Sequence, residues 1–227
     1  MNNLFTSGEG FTVVNYGSIV AQRQSLNLTD PPQLILKRSL DVFFSLFTLI
    51  FICSWLFPFI ALMIKLTSKE PVVLKQLRHG RNNVPFFCFK FRTMKANDEG
   101  RTKQAIKNDP RITKFGLFLR RTSLDELPQI FNVIMGEMSI VGPRPHAVSM
   151  NNKFSEGIDD FMLRHAVKPG ITGLAQLKSF RGETKRFHDI NSMCKLDLFY
   201  IKNWSLFLDI KIMIWSAASF MKIKNAY

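Results

Sequence analysis

The stretch that decides the fold reads VFFSLFTLIFICSWLFPFIALMI, residues 42–64, and it contains no charged side chain. As an α-helix it would extend about 35 Å at roughly 1.5 Å per residue. The hydrocarbon core of a bilayer is about 30 Å thick, and an apolar run inside a buried core helix is usually nearer about 12 residues. The stretch therefore predicts a membrane-inserted helix, which we place at residues 37–66.

The flanks of this segment and its one proline bear on its topology. Lys37 and Arg38 precede the apolar run and Lys65 follows it, so basic residues stand at both ends. Basic flanks favour the cytoplasmic face. Pro58 removes one helical hydrogen bond and bends the helix, and the Ser54 hydroxyl is a candidate partner for the freed carbonyl region. We therefore favour a re-entrant helix bent at Pro58 over a full crossing.

The net charge limits the classes of partner. The formal charge is +14, and residues 1–64 are neutral overall, so the whole surplus lies in residues 65–227. Such a surplus predicts an anionic partner, which could be nucleic acid, anionic lipid or a phosphorylated substrate. A nucleic-acid-binding protein would account for the charge but not for the apolar run, and the basic stretches lack the aromatic interleaving of a known module. We therefore expect no nucleic-acid partner.

The cysteine content and the local composition limit which sites and which domains the chain can contain. The three cysteines, Cys53, Cys88 and Cys194, form no CxxC pair and no even-numbered framework, so they predict neither a zinc site nor disulfides. Residues 1–36 are interrupted by Gly, Ser, Asn and Thr, and we expect a flexible leader there. Residues 67–227 are long enough for one catalytic domain with its own core.

The patterns after the apolar run indicate an α+β fold that is mainly helical. Two strand-like runs, 72–77 and 84–92, flank a turn and predict a β-hairpin. In the second run the period of two places Lys90 opposite a face of phenylalanines. Three segments have helical patterns: 111–121, 124–135 and 190–222. Two segments rich in proline and glycine are predicted to be rigid loops, at 142–145 and 168–173. A polar linker is predicted at about 95–110. The apolar part of the C-terminal segment fits either an interfacial helix or a core helix.

Two adjacent carboxylates stand out in the run LRRTSLDELPQ, residues 119–129. Ser123 and Glu126 have the spacing of a capping box, which is the structural explanation of an acidic first turn. The functional alternative uses the same features: a carboxylate beside Arg120 stays ionised, and Asp125 can then act as a nucleophile on phosphorus. Glu126 is suited to binding Mg²⁺.

Cations near this pair would be needed to bring a carboxylate up to an anionic diphosphate. Lys90, Arg92, Arg120 and Arg144 are the candidate phosphate-binding residues, and Arg144 is fixed between two prolines in a Gly-Pro-Arg-Pro loop. Mg²⁺ held by Asp125 and Glu126 would add to this neutralisation, as is usual in phosphoryl transfer. Taken singly, each of these residues would be an ordinary surface charge.

Several motifs together resemble the monotopic phosphoglycosyl transferases, the bacterial sugar transferases that start capsule, O-antigen and exopolysaccharide synthesis. They are DPRIT at 109–113, RRTSLDELPQ at 120–129, VGPRP at 141–145 and KPGITG at 168–173, and the likeness covers about residues 37–222. Further segments, VGPRPHAV at 141–148, MLRH at 162–165, RGET at 181–184 and NWSL at 203–206, are similar to the branch that transfers glucose-1-phosphate.

The resemblance implies a two-step transfer of a sugar-1-phosphate from a UDP-sugar to undecaprenyl phosphate, with Mg²⁺ as cofactor. Asp125 would take the phosphosugar and release UMP, Glu126 would bind the metal, and Lys90, Arg120 and Arg144 would hold phosphates. The sugar would be glucose or, failing that, galactose. It also implies a re-entrant helix at the cytoplasmic face of the bacterial inner membrane. A homodimer is left open, and a non-catalytic membrane scaffold of polysaccharide assembly is the alternative function.

Overall fold

The computed structural model describes residues 31–68, 70–95, 109–178 and 187–221. Most of the expected leader (1–30), most of the polar linker (96–108) and the RGET segment (181–184) lie outside the described residues. The described part is mainly helical with a small antiparallel hairpin, which confirms that part of the predicted fold class.

One long helix opens the described part of the chain. It consists of α1 (Pro31–Thr48), a π-helical segment (Leu49–Cys53) and α2 (Ser54–Thr67), which follow one another without a break. The helix therefore includes residues 31–36, which were predicted as part of the leader. By length and composition it could cross a membrane, and only 17% of its most apolar window is buried.

The region around Pro58 has adapted to the missing amide. The π-helical segment ends at Cys53, five residues before Pro58, and the Ser54 hydroxyl donates a 2.6 Å hydrogen bond to the carbonyl of Ile50. Wider turns of this kind are a common way to accommodate an interrupted hydrogen-bond ladder. The candidate partner Ser54 thus bonds one turn upstream. The re-entrant topology stays a prediction.

The hairpin pairs β1 (Val73–His79) with β2 (Pro85–Phe91) in antiparallel register, with Leu77 opposite Phe87. The alternation along β2 is as predicted: Phe86 and Cys88 are buried, Phe87 is 55% exposed, and Lys90 shares the face of Cys88. Phe91 departs from the pattern, because at the end of the strand it packs against Ile60 and Ile64 of the long helix.

A second, parallel sheet was not predicted: one of its strands lies inside the predicted rigid loop 168–173, and the other ends just before the loop 142–145. It pairs β3 (Ser139–Val141) with β4 (Gly170–Thr172). The backbones approach so closely here that a Cβ on Gly170 would lie 2.1 Å from the amide nitrogen of Gly142. Glycine is therefore required at this crossing, and the crossing fixes the start of the Gly-Pro-Arg-Pro loop.

The remaining helices surround these strands. They are α3 (Lys114–Arg121), α4 (Gln129–Met135), α5 (Val148–Ser155), α6 (Leu174–Leu177), α7 (Phe187–Lys202) and α8 (Leu206–Met221), with short 3₁₀ segments at Arg81–Asn83, Leu124–Glu126 and Phe161–Ala166. The predicted C-terminal helical segment is thus two helices, broken between residues 202 and 206.

Helix α8 packs on the core through one face and exposes apolar side chains on another. Asp209 is buried and accepts hydrogen bonds from Lys37 (2.6 Å), Tyr200 (2.7 Å) and Trp204 (3.1 Å). On another face of the same helix Phe207 is 70% exposed. The inner face ties α8 to the start of the long helix through Lys37.

Candidate active site

The turn that carries the two carboxylates is not a capping box. Ser123 has a left-handed backbone conformation (φ 54°) and its side chain makes no capping hydrogen bond. The following residues, Leu124–Glu126, form a 3₁₀ turn, and Leu124 and Leu127 pack against the cluster that contains Ile60 and Ile64. The turn is thereby attached to the long helix, and the side chains of Asp125 and Glu126 are available for other contacts.

Glu126 lies between two cations. Lys90 donates to its Oε1 at 2.6 Å, and Arg144 donates in a fork to Oε1 at 2.6 Å and to Oε2 at 3.0 Å. Burial opposes ionisation of Glu126, but Arg144 and Lys90 outweigh it and hold its pKa well below the usual value. A single carboxylate thus joins strand β2 to the Gly-Pro-Arg-Pro loop.

Asp125 has a different environment. It makes no hydrogen bond or ion pair with any part of the chain that the structure describes. Burial raises its pKa to about 6, with the charge of Glu126 acting in the same direction and those of Lys90 and Arg120 opposing it. Sequence analysis predicted only that this carboxylate stays ionised, and its desolvation was not visible in the sequence. At neutral pH the group is still mainly ionised, but it is poorly solvated and unpartnered.

The other two predicted cations lie in different positions. Arg120, at the end of α3, donates from Nε to the hydroxyl of Thr93 at 2.8 Å and is close enough to Asp125 to lower its pKa. Arg92 also lies in the described part of the chain but makes no hydrogen bond or ion pair with the carboxylate pair; its Nε donates to the carbonyl of Pro71 at 2.7 Å. Lys90, Arg144 and Arg120 thus surround the carboxylate pair, whereas Arg92 is held at the end of the hairpin.

Two arginines that sequence reasoning did not select hold the loop in place. Arg164 is fully buried, pairs with Asp197 at 2.5 Å and donates at 2.9 Å to the backbone carbonyl of Arg144. Arg78 of β1 donates to the carbonyl of Pro145. The only sequence signal for Arg164 was its place in the MLRH segment, and Arg78 fell at the end of an apolar strand.

The histidines serve structure here. His146 and His165 are buried, and burial together with the charge of Arg164 holds the pKa of each well below its usual value. His146 Nδ1 lies 2.9 Å from Arg164 and His165 lies 3.4 Å from Asn151. Both rings are therefore neutral parts of the packing around the Arg144 loop.

The carboxylate pair fits a single Mg²⁺. Among the described residues no cluster of three or more His, Cys, Asp or Glu side chains is present, so Asp125 and Glu126 are the two carboxylates that this site offers. Mg²⁺ is commonly bound by one or two carboxylates, with substrate phosphates and waters completing the shell. Asp125 is unpartnered, and Glu126 accepts three hydrogen bonds out of about four lone-pair sites, which leaves room on Oε2.

Comparison with known proteins finds several similar chains. A UDP-glucose:undecaprenyl-phosphate glucose-1-phosphate transferase of Xanthomonas campestris pv. campestris is 52% identical over 170 residues, which cover 74% of this chain and 35% of that protein. One of the same name from Caulobacter vibrioides is 40% identical over 84% of this chain and 72% of that protein. The exopolysaccharide production protein PSS of Rhizobium leguminosarum bv. phaseoli is 43% identical over 82% of this chain and 95% of that protein.

The chain spans about a third of the length of the Xanthomonas relative but nearly all of the Rhizobium one. The family model for bacterial sugar transferases matches residues 32–223, which include nearly all of the long helix, the hairpin, the carboxylate turn and strands β3 and β4. This match covers most of the sequence, and the chain belongs to the bacterial sugar transferase family.

Proposed function

We propose that this chain transfers a sugar-1-phosphate, glucose-1-phosphate first among the candidates, from a UDP-sugar to undecaprenyl phosphate and releases UMP. The observation that carries the proposal is the contrast between the two adjacent carboxylates. Glu126 is neutralised by Lys90 and Arg144, whereas Asp125 is desolvated, unpartnered among the described residues and close to the same cations. The names of the Xanthomonas and Caulobacter relatives favour glucose and the undecaprenyl acceptor.

The first chemical step uses Asp125 as nucleophile. A carboxylate oxygen of Asp125 attacks the phosphorus that carries the sugar, and the bond from that phosphorus to the bridging oxygen breaks. The bridging oxygen leaves with its electron pair as part of UMP, so a mixed anhydride between Asp125 and the phosphosugar remains. Partial desolvation strengthens the nucleophile, because fewer solvent hydrogen bonds must be broken on attack.

The second step regenerates the enzyme. A phosphate oxygen of undecaprenyl phosphate attacks the same phosphorus, and the carboxylate of Asp125 leaves with its electron pair. Lys90, Arg120 and Arg144 would stabilise the negative charge on the equatorial oxygens in both steps. Because a carboxylate is a weakly basic leaving group, the anhydride can pass its phosphoryl group to a weakly nucleophilic phosphate.

Asp125 and the free lone pair of Glu126 would hold Mg²⁺, which would neutralise diphosphate oxygens as the carboxylate approaches. The cations of the chain alone do not supply enough positive charge for the diphosphate, since Lys90 and Arg144 are already paired with Glu126.

Exposed apolar surface supports a lipid acceptor and a membrane location. Large apolar side chains are exposed on three elements: the long helix (Phe43, Phe51, Trp55), the hairpin (Leu77, Phe87) and α8 (Phe207, Ile214, Trp215). Lys211 Nζ lies 5.4 Å from the rings of both Phe207 and Trp215, a combination typical of a membrane interface. We propose a re-entrant helix that keeps the domain on the cytoplasmic face of the bacterial inner membrane.

Replacing Asp125 by Asn should lower UMP release by more than about 10³-fold, because a neutral amide cannot form the anhydride. The protein is incubated with undecaprenyl phosphate and a panel of UDP-sugars, and UMP is measured. With donor alone, mass spectrometry should find a phosphosugar on Asp125. Asp159→Asn, a change at an exposed carboxylate, is the matched control. Near-normal turnover in Asp125→Asn would refute the nucleophile, and absence of UMP from the unaltered protein would favour the scaffold.

The raised pKa of Asp125 predicts the pH dependence of the first step. As the pH falls below about 6 the carboxyl becomes protonated and loses its nucleophilic lone pair. The single-turnover rate of UMP release with donor alone should then fall roughly tenfold per pH unit and level off above neutrality. The donor diphosphate does not titrate in this range, and unfolding at each pH is monitored separately. A rate of UMP release that does not change from pH 5 to 8 would contradict the claim that burial raises the pKa of Asp125.

Removal of divalent cations should abolish transfer. Excess EDTA is expected to reduce UMP release to the background, and added MgCl₂ should restore it, because the cations of the chain do not neutralise carboxylate and diphosphate together. The melting temperature should be unchanged by EDTA, which separates a substrate-bound metal from a structural one. Full activity in EDTA would rule out the proposed metal.

The topology is tested with single cysteines introduced at Asp30 and Glu70, one on each side of the long helix. The native cysteines are buried and should react slowly. In the re-entrant form neither introduced thiol reacts with a membrane-impermeant maleimide in intact cells, and both react after permeabilisation. Labelling of residue 30 alone in intact cells would show a full crossing, and a known periplasmic cysteine serves as the positive control.

A further inference from the structure

A second cationic cavity lies at the start of the long helix. It has a volume of about 130 Å³, and since one water molecule needs roughly 10–15 Å³ by the same measure, it has room for several waters or one phosphate group. Four cations line it, Lys37, Arg38, Arg81 and Lys168, beside the single carboxylate of Asp41. It shares no lining residue with the Asp125–Glu126 site.

The charges in this wall are not balanced. Lys37 is paired with Asp209 at 2.6 Å, and Arg38 donates to the carbonyls of Val133 (2.6 Å) and Ile134 (2.8 Å), which are neutral. Arg81 and Lys168 have no side-chain partner among the described residues. Even with Asp41 and Asp209 both counted as ionised, the wall holds two more positive than negative charges.

The cations also lie close together. A methyl group placed on Gly136 would lie 3.6 Å from Arg38 Nη2 and 3.6 Å from Lys168 Nζ. Burial lowers the pKa of Lys168, and the neighbouring charges of Arg38 and Lys37 act in the same direction, against Asp41. Like charges held this near one another are stabilised by a bound anion.

Two buried polar atoms in the same wall lack a hydrogen-bond partner within the described part of the chain. They are the hydroxyl of Ser139, whose residue is 1% exposed, and Nε of Arg81. Buried donors without acceptors are rare in native proteins and indicate a missing ligand or solvent. Both residues line the cavity, so an anion there would satisfy donors and cations together.

The cavity also has an apolar part, so it would suit the beginning of a lipid chain as well as a phosphate group. Leu34 is one of the apolar lining residues and lies on the first turns of the long apolar helix. The others are Val141, Ala166, Val167, Tyr200 and Trp204. We infer that this cavity binds a phosphate group, carried either by a lipid headgroup at the bilayer surface or by a soluble phosphate. The site is separate from the proposed transfer reaction and would bind its ligand whether or not Asp125 is a nucleophile.

Chemical modification of Lys168 tests the inference directly. The full chain is solubilised in a maltoside detergent, which contains no phosphate, and its amines are acetylated briefly and quantified by mass spectrometry. Inorganic phosphate, or phosphatidic acid mixed into the micelles, should slow modification of Lys168 at least fivefold relative to chloride at the same ionic strength. The exposed Lys178 should react at an unchanged rate. Protection by phosphate alone identifies a soluble ligand, and protection by phosphatidic acid alone identifies a lipid.

Variants connect the protection to this cavity. Arg81→Gln should raise the phosphate or lipid concentration needed for protection about tenfold, whereas Arg121→Gln, at an exposed arginine outside the lining, should leave it unchanged. Asp125→Asn should retain full protection, which keeps the result independent of catalysis. Equal modification rates of Lys168 with and without both ligands would overturn the inference, as would protection that is the same in Arg81→Gln and the unaltered protein.

Discussion

The carboxylate of Glu126, held between Lys90 and Arg144, is the contact on which the arrangement of the site depends. It joins the hairpin to the Gly-Pro-Arg-Pro loop through three short charge-assisted hydrogen bonds, which are among the stronger contacts available to a protein. Because Glu126 pairs with both cations, it also determines the electrostatic environment of Asp125. Asp125 is left close to positive charge without being paired to it, and that is the condition a carboxylate nucleophile needs.

This contact is supported by packing on both sides. The loop is fixed by the close crossing of Gly142 and Gly170 and by buried Arg164, which Asp197 neutralises. Removing one partner of such a buried pair typically costs about 3–5 kcal/mol, so the backbone that presents Arg144 is rigid. A fork that must meet carboxylate and later phosphate in one geometry benefits from this rigidity, because little freedom is lost on binding.

Local patterns predicted the hairpin, the side of β2 that carries Lys90 and the long apolar helix. They predicted one helix over 124–135, where the structure has a 3₁₀ turn followed by α4. Tertiary effects were not predictable: strands β3 and β4 have three residues each, too few for a periodic signal, and they are defined by the close approach of two glycine segments. The capping-box pattern at Ser123 was misleading, since Glu126 has better partners far away in sequence. The raised pKa of Asp125 depends on burial by the same distant elements.

The site is also mechanically connected to the apolar helix. Phe91, adjacent to Lys90, packs on Ile60 and Ile64, and the leucines on either side of the carboxylates, Leu124 and Leu127, pack on the same cluster. The segments that carry Glu126 and Lys90 therefore pack on the same stretch of the long helix. An acceptor whose phosphate is confined to a bilayer surface can be reached only at a fixed depth. A helix that is inserted in that bilayer and packed directly beneath the two carboxylates would set this depth without any further element.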